Sequence, residues 1–492
     1  MKYLVNVKDR KQLPNIEAAL KIIDHDTVMV THPQSVTDVD LELTVTYTPD
    51  FYVRVWVPGL RPGKEWEYYD QEIQDRRYDE TDRKQRLKEL IRLGIITLVG
   101  QHLGKRPPWG ILSGVRPTKI YHYLRDKGFA KTEIRQKLIT IYALAPEKAD
   151  LLIGVGSLQE KYLNNTSIVS IYIGIPFCPT RCGYCSFAAV SLETHRHLVK
   201  NYLIALEQEI EAMSSLRAEF GWQVDTIYLG GGTPTSLDEG PFGRLLDLLG
   251  QAFFTQSTAE FTVEAGRPET VTREKLIAMT RNGVSRVSIN PQTMKESTLK
   301  KIGRRHSIQD VYHGVALVRN FPKLLLNMDL ILGLPGEDGD DFLDSLQKVV
   351  AFQPENITIH TLAPKRAAAW HKNFSGLQLS QSLDLTKAMA SGSLLLKNRQ
   401  YMPYYLYRQR LILADLENIG FTRPKLESNY NIQMMEERQT IIGMGAGAVT
   451  KWVVGPGHRV YRHQNPKCPA TYGSRLKDEI VKKVQQTRIL LG

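Results

Sequence analysis

The chain has 492 residues, of which 42% are hydrophobic and 24% are charged. This length predicts two or three domains, and the apolar fraction is sufficient for buried cores. No stretch approaches the roughly 18 consecutive apolar residues of a membrane span, and the N-terminus lacks the apolar core and cleavage site of a signal peptide. We therefore expect a soluble, cytoplasmic protein with no membrane partner.

Lysine and arginine number 64 against 52 aspartates and glutamates, which gives a net charge of +12. Such an excess can attract nucleic acid, an acidic protein or a polyanionic small molecule. The basic residues are spread along the chain and form no basic tail, so nucleic acid is the least favoured of the three.

Residues 1–165 have a mixed α+β pattern. The segments "LELTVTYT" and "FYVRVWV" alternate apolar and polar residues as β-strands do. The segment "DQEIQDRRYDETDRKQRLKELIRLGIITLVG" predicts a long helix with a charged, solvated face. We expect an N-terminal α+β accessory domain over 1–165.

From Ile168 onward, short apolar runs alternate with amphipathic helical segments. Six runs are predicted strands: "IVSIYIGIPF", "VDTIYLGGG", "EFTVEAG", "RVSINPQ", "LNMDLILGLP" and "NITIHTLAP". This alternation favours a parallel sheet, and six units are too few for a closed eight-stranded barrel. The sequence therefore predicts an α/β fold with a partial (β/α)6 TIM-like barrel over 166–365. Residues 366–492 are predicted to form a C-terminal α+β extension that covers the substrate.

Three of the four cysteines lie within eight residues, in "FCPTRCGYCSF", with the spacing C-x3-C-x2-C. A structural zinc site takes four ligands, commonly as paired C-x2-C motifs, and here no second pair exists. An ordinary [4Fe–4S] cluster also takes four cysteines, so three would leave one iron open for chemistry. Buried thiols are the remaining interpretation of the three, and the distant Cys468 is interpreted as an incidental thiol.

Further polar residues and glycines follow the other predicted strands. Glycines 230–232 and Thr233 end the second strand, where exposed backbone amides can bind a carboxylate. Glu264, Gln292 and Asp329 lie at or near the ends of strands three, four and five. A carboxylate in such a strand is costly unless it is paired, and ligand binding is the favoured explanation of the three together. In "KKIGRRH", Arg304 could hold a carboxylate through a bidentate contact, and by sequence alone Arg305 could do so equally well.

The cysteine triplet after a first β-strand, with the glycine run after the second, resembles the radical S-adenosylmethionine (SAM) superfamily. The resemblance implies a partial barrel that holds a [4Fe–4S] cluster through three cysteines, with SAM on the open iron. It also implies reductive cleavage of SAM to a 5′-deoxyadenosyl radical.

Within that superfamily, "IYIGIPFCPTRCGYCSF", "GGGTPTSL", "PQTMKESTLKKIGRRH" and "DLILGLPGE" are similar to the oxygen-independent coproporphyrinogen III oxidase family. The segments "PWGILSGVRPTKI" and "PYYLYRQRLILADLENIGF" resemble its longer HemZ-type branch. The resemblance implies that Cys178, Cys182 and Cys185 are the cluster ligands and that Tyr172 contacts SAM beside the cluster. The other implied SAM contacts are Tyr184, Gly231, Gly232, Thr233, Glu264, Gln292, Arg304, Asp329, Thr361 and Val449.

The implied reaction is the oxidative decarboxylation of two propionates of coproporphyrinogen III, which gives the vinyl groups of protoporphyrinogen IX. One or two SAM molecules take part, and an acidic protein such as flavodoxin or ferredoxin supplies electrons. Arg408, among the tyrosines of "YYLYRQR", is a candidate catalytic or substrate-facing residue, although a packed aromatic strip explains the segment equally well. We expect a monomer.

The chain departs from the oxidase pattern at two positions. Gly174 stands where oxidases have a histidine, and Phe187 stands where they have a further cysteine. The "CSF" ending is closer to the related haem chaperones, which keep the cluster and SAM site but move haem. Three functions therefore stay open: a coproporphyrinogen dehydrogenase, a haem-binding chaperone, and another radical SAM enzyme that modifies a tetrapyrrole or transfers a methyl group.

Overall fold

The computed structural model describes residues 1–24, 26–31, 39–48, 52–57, 64–163, 168–363, 368, 370, 381–409 and 411–491. It divides into two compact units, Met1–Ser157 and Leu158–Gly492. No helix among the described residues is long and apolar enough to cross a membrane.

The first unit contains a five-stranded sheet in the order β2-β1-β3-β4-β5, with helices named α1 to α5. Its strands are β1 (Lys2–Val7), β2 (Val28–Val30), β3 (Leu41–Tyr47), β4 (Tyr52–Val57) and β5 (Lys64–Tyr69). Its helices are α1 (Leu13–Ile23), α2 (Glu80–Leu103), α3 (Thr118–Asp126), α4 (Lys131–Thr140) and α5 (Pro146–Gln159), the last of which runs past the division. The two predicted strands are present as β3 and β4, and the other three strands were not predicted.

The long helix predicted in this unit begins later than the pattern indicated. The Asp79 carboxylate accepts the Asp82 N–H at 2.9 Å and the Asp82 carboxylate accepts the Asp79 N–H at 2.8 Å. This reciprocal cap fixes the start of α2 at Glu80. Gly104 ends the helix with a φ of 63°, in the left-handed region that favours glycine.

The second unit is built on one large sheet in the order β14-β15-β13-β12-β11-β10-β9-β6-β16-β17-β18, with a small separate pair, β7 and β8. The first eight strands are β6 (Ile168–Ile175), β7 (Phe177–Cys178), β8 (Val190–Ser191), β9 (Gln223–Gly231), β10 (Glu260–Glu264), β11 (Arg286–Ser288), β12 (Leu325–Leu332) and β13 (Asn356–Thr361). The last five are β14 (Met402–Tyr407), β15 (Asn418–Thr422), β16 (Thr440–Met444), β17 (Val449–Val454) and β18 (Arg459–Gln464).

Ten helices among the described residues of this unit flank or follow the strands. They are α6 (Leu192–His195), α7 (Val199–Phe220), α8 (Glu239–Phe253), α9 (Arg273–Arg281), α10 (Glu296–Lys301), α11 (Ile308–Arg319), α12 (Gly339–Ala351), α13 (Ser382–Asn398), α14 (Asn429–Glu436) and α15 (Pro469–Leu491).

The six predicted barrel strands are β6, β9, β10, β11, β12 and β13, and neighbours in this set pair in parallel. The predicted α/β partial barrel is therefore confirmed. Strands from beyond residue 400 extend the same sheet at both ends: β15 pairs antiparallel with β13, and β16 pairs parallel with β6. The C-terminal region therefore shares its main sheet with the barrel.

A buried ion pair ties the C-terminal helix to the barrel. Glu209 of α7 and Lys483 of α15 are bonded, and both side chains are completely buried. The Glu209 carboxylate also accepts from the Tyr472 hydroxyl at 2.6 Å and from the Gly445 N–H at 2.8 Å. Burial alone would raise the pKa of Glu209, but the Lys483 ammonium and these donors hold the pKa below its ordinary value. Lys483 also donates to the Gly443 carbonyl at 2.6 Å, so the pair holds the end of β16 together with Gly445 just after it.

Lys483→Met should lower the free energy of unfolding by about 3–5 kcal/mol, because it leaves the Glu209 carboxylate buried without its counter-charge. Arg488→Met is the matched control, since Arg488 lies on the same helix and pairs with Glu219 of α7 at an exposed site. The control should leave the free energy of unfolding nearly unchanged. Urea unfolding followed by circular dichroism measures both, and equal effects of the two substitutions would contradict the prediction.

Candidate functional site

A cavity of about 530 Å³ opens at the C-terminal ends of the parallel strands. Parallel barrels collect functional groups at this edge, because every strand ends there. Thirteen of the fifteen predicted site residues line this one cavity: Tyr172, Cys178, Cys182, Tyr184, Cys185, Gly231, Gly232, Thr233, Glu264, Gln292, Arg304, Asp329 and Thr361.

The three cysteines lie on a loop that begins at the end of β7 and folds over the cavity. The Cys185 N–H donates to the Cys182 carbonyl at 3.2 Å, and the Thr233 hydroxyl donates to the Cys178 sulfur at 3.4 Å. The Arg267 side chain holds the loop in place: its Nη2 lies 2.6 Å from the Thr180 carbonyl oxygen and 3.1 Å from the Cys182 sulfur. A segment with little regular structure is therefore held in one position by side chains from other strand ends.

The environments of the thiols differ. Burial raises the pKa of Cys178 to about 11. Burial alone would also raise the pKa of Cys182, but the Arg304 and Arg267 guanidinium groups hold it below its ordinary value. Buried positive charge beside the sulfurs thus favours an anionic group at this end of the cavity.

The glycine run after β9 lies against the cysteine loop. Gly231 has a φ of 106°, which a residue with a side chain rarely adopts. A Cβ at Gly232 would lie 2.7 Å from the Phe177 carbonyl oxygen and 3.0 Å from the Cys178 sulfur. These two glycines are therefore required by the close approach of two backbones beside the first cysteine.

Glu264 lies at the end of β10, between the glycine run and a group of tyrosines. Its carboxyl accepts from the Gly231 N–H at 3.1 Å and from the Tyr228 hydroxyl. Burial raises the pKa of Glu264 to about 7. The Tyr228 ring stacks on Tyr430 of α14 at 4.2 Å between centroids, and Tyr172 of β6 packs on the Tyr228 ring at 6.2 Å. This end of the cavity is therefore aromatic and holds one carboxyl of elevated pKa.

Gln292 and Asp329 are brought together by the strands that follow. Gln292 has a φ of 69°, its N–H donates to the Asp329 carbonyl at 3.0 Å, and its side-chain oxygen is buried with no partner among the described residues. The Asp329 carboxylate accepts from Asn327 at 2.9 Å and lies 3.5 Å from the His360 Nε2. A left-handed residue with an unpaired buried oxygen is typical of a ligand-binding position.

Of the two adjacent arginines, the structure places Arg304 in the cavity. Arg304 is buried and donates to the Gly266 carbonyl at 3.0 Å and to the Tyr184 hydroxyl at 3.3 Å, while its Nε has no partner among the described residues. Arg305 is exposed and pairs with Glu193 at 2.6 Å. Of the two arginines, Arg304 is therefore the one that lines the cavity.

Arg408 and Val449 are not part of the described lining. Arg408 is buried, follows the last residue of β14 and donates to the Asp415 carboxylate. Its neighbours Tyr407 and Gln409 line the cavity with Tyr405, which agrees with the two-residue period of an extended chain. The substrate-facing role of Arg408 stays a prediction. Val449 begins β17, two strands beyond β6.

Several cavity residues were missed by the sequence analysis. Among them are Arg267, Tyr228, His360, Asn418, Tyr430, Asn431, Met434 and Met435. Tyr228 and His360 lie on the same strands as the predicted Gly231 and Thr361, β9 and β13, but an odd number of residues away, so the two-residue strand period does not indicate them. No local signal indicates α14, whose side chains reach the cavity only through the tertiary fold.

Comparison with protein families shows a match to the radical SAM superfamily over residues 172–349. The oxygen-independent coproporphyrinogen-III oxidase-like protein HemZ of Bacillus subtilis is 38% identical over 408 residues, which cover 81% of this chain and 81% of HemZ. The haem chaperone HemW of Bacillus subtilis is 29% identical over 57% of this chain and 70% of HemW, and HemW of Escherichia coli is 27% identical over 61% and 74%.

Among solved structures, coproporphyrinogen III oxidase (HemN) of Escherichia coli, a radical SAM enzyme, aligns with a TM-score of 0.52 at 21% identity. The alignment covers 66% of this chain and 73% of HemN. At this identity the likeness concerns the fold, and it agrees with the partial barrel described above.

Glu264→Gln should change how stability depends on pH. In the unfolded chain this carboxyl ionises near its ordinary value of 4.5, whereas in the folded protein it stays protonated up to about pH 7. Between these values the unfolded state binds fewer protons, so the free energy of unfolding falls as pH rises. Glutamine cannot ionise, and the variant should therefore gain roughly 3 kcal/mol relative to the natural chain across this window.

Urea unfolding at a series of pH values between these two limits measures the difference between the two proteins. A difference that does not vary with pH would contradict the elevated pKa of Glu264.

Proposed function

The chain belongs to the radical SAM superfamily and, within it, to the family of the oxidase-like protein HemZ, and we propose that it is an oxygen-independent coproporphyrinogen III oxidase. The family is related to haem biosynthesis and uses an iron–sulfur cluster and SAM. The proposed reaction converts two propionates of coproporphyrinogen III to the vinyl groups of protoporphyrinogen IX. One observation carries the proposal: the cysteine loop, the glycine run and the polar strand ends line a single cavity.

The residues of the loop fit an iron–sulfur cluster held by Cys178, Cys182 and Cys185. Two buried guanidinium groups lie at the loop, and the Nη1 of Arg267 and the Nε of Arg304 have no hydrogen-bond partner among the described residues. Buried cations of this kind need an anion, which a thiolate-bound cluster supplies. No three His, Cys, Asp or Glu side chains in the described part of the chain converge on one metal ion. A cluster does not require that, because each cysteine binds a different iron.

The polar strand ends suit the groups of SAM. We assign the amides of the glycine run and Arg304 to its carboxylate, and Glu264, Gln292 and Asp329 to its amino and hydroxyl groups. Tyr172 and Tyr184 then flank the bound molecule, and Thr361 contributes to the wall. When bound, the cluster and SAM supply a 5′-deoxyadenosyl radical for hydrogen abstraction.

Lining residues from β13, β14 and the segment after β14 suit a tetrapyrrole. Tyr405, Tyr407 and Gln409 project from alternate positions of β14 and its C-terminal end into the cavity. The Tyr407 hydroxyl lies 3.0 Å from His360 Nδ1, and the other ring nitrogen of His360 lies 3.5 Å from Asp329. Aromatic rings with polar tips can pack on a macrocycle and hydrogen-bond its edge. Arg408, which donates to the Asp415 carboxylate, is assigned to holding this strand.

Two observations favour a haem chaperone as the second candidate. Gly174 lies on the same face of β6 as Tyr172, so this position offers no imidazole to a substrate. Phe187 takes the place of the oxidase cysteine, and two of the relatives are haem chaperones. A chaperone would bind haem in this cavity and leave the porphyrinogen unchanged.

Reconstituted protein with SAM, a reductant and coproporphyrinogen III, assayed without oxygen by mass spectrometry, should give 5′-deoxyadenosine together with loss of carbon dioxide from two propionates. Cys182→Ala should abolish both products and the visible absorbance of the cluster, because it removes one ligand. Cys468→Ala is the control and should keep all three signals, since Cys468 is an exposed thiol distant in sequence from the loop.

The other outcomes separate the alternatives. If 5′-deoxyadenosine forms while the porphyrinogen is unchanged, the enzyme is a radical SAM enzyme with another substrate. Stable haem binding without turnover of SAM would establish the chaperone. Full cluster occupancy in Cys182→Ala would refute the ligand assignment.

Tyr407→Phe should raise KM for coproporphyrinogen III by roughly tenfold, which corresponds to the loss of one hydrogen bond. SAM cleavage in the absence of porphyrinogen should be unaffected, because Tyr407 lies on the tetrapyrrole side of the cavity. Tyr401→Phe is the control, as the Tyr401 hydroxyl bonds the Pro354 carbonyl away from the cavity. An equal change in KM for both variants would remove Tyr407 from the proposed substrate wall.

A further inference from the structure

A connected set of polar side chains lies within the lining of the cavity: Asp329, His360, Tyr407 and Gln409. The Asp329 carboxylate lies 3.5 Å from the His360 Nε2, and the His360 Nδ1 lies 3.0 Å from the Tyr407 hydroxyl. The Gln409 side chain hydrogen-bonds with Tyr407. Strands β12, β13 and β14 and the residue after Arg408 thus contribute to one hydrogen-bonded series.

The Asp329 end determines the direction of these hydrogen bonds. An ionised carboxylate only accepts hydrogen bonds, so the His360 nitrogen that faces it carries the hydrogen. In a neutral imidazole the other nitrogen, Nδ1, is then an acceptor. Since the Tyr407 hydroxyl has a single hydrogen, it donates that hydrogen to His360.

The contacts of Gln409 agree with this direction. Burial and the charge of Asp329 raise the pKa of Tyr407, whereas the hydrogen bond with Gln409 lowers it, as a donor to the phenol oxygen does. The Gln409 amide therefore gives an N–H to Tyr407. Its oxygen, Oε1, is buried and has no hydrogen-bond partner among the described residues.

The series therefore ends in an unused acceptor that lines the cavity. A buried polar atom without a partner costs free energy, and a ligand that donates a hydrogen bond would remove this cost at Gln409. His360 is the only histidine in the described lining, and both of its ring nitrogens face other side chains. This imidazole is therefore not free to bind the iron of a haem.

Only one kind of group in the core of a tetrapyrrole can donate such a hydrogen bond, and that is a pyrrole N–H. Ionised propionates are acceptors, and a metal-bound macrocycle has no pyrrole hydrogens. A flat, metal-free porphyrin directs its two N–H groups towards the centre of the ring. In a porphyrinogen, saturated carbons join the four pyrroles, so a ring can tilt and direct its N–H out of the mean plane.

We propose that Gln409 is a specificity-determining residue whose amide oxygen accepts a pyrrole N–H, which selects a porphyrinogen over a metal-bound tetrapyrrole. His360 is a positioning residue in this arrangement. By accepting the Tyr407 hydrogen, it keeps that hydroxyl from donating to Gln409 and so leaves the amide oxygen available. The inference rests on the proposed function, since it takes the tetrapyrrole to lie against Tyr407.

The test compares the binding of two ligands, coproporphyrinogen III and iron(III) coproporphyrin III, which carry the same four propionates and differ in the core of the macrocycle. Binding to the reconstituted protein is measured by calorimetry without oxygen, SAM or reductant, so that nothing is converted. The natural chain should bind the porphyrinogen more tightly than the iron complex. Gln409→Met should weaken porphyrinogen binding by about tenfold, the loss of one hydrogen bond, and leave binding of the iron complex unchanged.

Gln347→Met is the matched control, because Gln347 is exposed on α12 and is not part of the described lining. It should leave the binding of both ligands unchanged. Two substitutions of His360 test its positioning role. His360→Phe removes the acceptor of the Tyr407 hydrogen and should weaken porphyrinogen binding as Gln409→Met does, whereas His360→Asn offers an amide oxygen near the position of Nδ1 and should restore most of it.

The inference would be overturned if Gln409→Met leaves both affinities unchanged, lowers both equally, or weakens the binding of SAM instead. Tighter binding of the iron complex than of the porphyrinogen by the natural chain would overturn it as well. Equal effects of His360→Phe and His360→Asn would remove His360 from the arrangement. If the natural chain shows the expected preference but does not decarboxylate the porphyrinogen when SAM and reductant are added, the proposed function fails and the role of Gln409 stands.

Discussion

Two buried guanidinium groups at the cysteine loop are the constraint on which the site depends. Arg267 has one distant carboxylate, with 3.9 Å between its Nη1 and Glu269, and no carboxylate among the described residues pairs with Arg304. An uncompensated buried charge is strongly destabilising, so these guanidinium groups favour anionic sulfur beside them, and the Cys182 sulfur lies 3.1 Å from the Arg267 Nη2. The same two arginines bond the loop carbonyls and Tyr184, which means that the loop position and the electrostatics are set together.

The sheet explains how such different side chains converge. All six barrel strands are parallel, and their C-terminal ends bring the glycine run, Glu264 and Asp329 to one edge although these residues are far apart in sequence. Elements from the C-terminal region also line the cavity: β14 contributes Tyr405 and Tyr407, and helix α14 contributes Tyr430. The residues that we propose for SAM therefore come from the barrel, and much of the proposed substrate wall comes from the C-terminal region.

The sequence was most informative where the signal is local. A strand–helix alternation and a cysteine triplet can be recognised within short windows, and both led to the confirmed barrel and family. The sequence was least informative where the position of a side chain depends on contacts with residues that are distant in the chain. Arg408 was predicted to face the substrate because it lies among tyrosines, whereas the described lining of the cavity takes Tyr405, Tyr407 and Gln409 at alternate positions. The choice between Arg304 and Arg305, and the contribution of Arg267, depend on packing that no local pattern encodes.

The pairing of β6 with β16 has a consequence for the order in which the protein matures. Thr440 lies opposite Val169, so one edge of the first barrel strand is covered by residues made about 270 positions later. Contacts of such high sequence separation form slowly, and until they form the strand keeps an open edge. During synthesis on the ribosome, the cysteine loop thus emerges long before the sheet beside it is complete. The edge of β6 that β16 covers therefore stays unpaired until most of the chain has been made, and during that time it can pair with another chain.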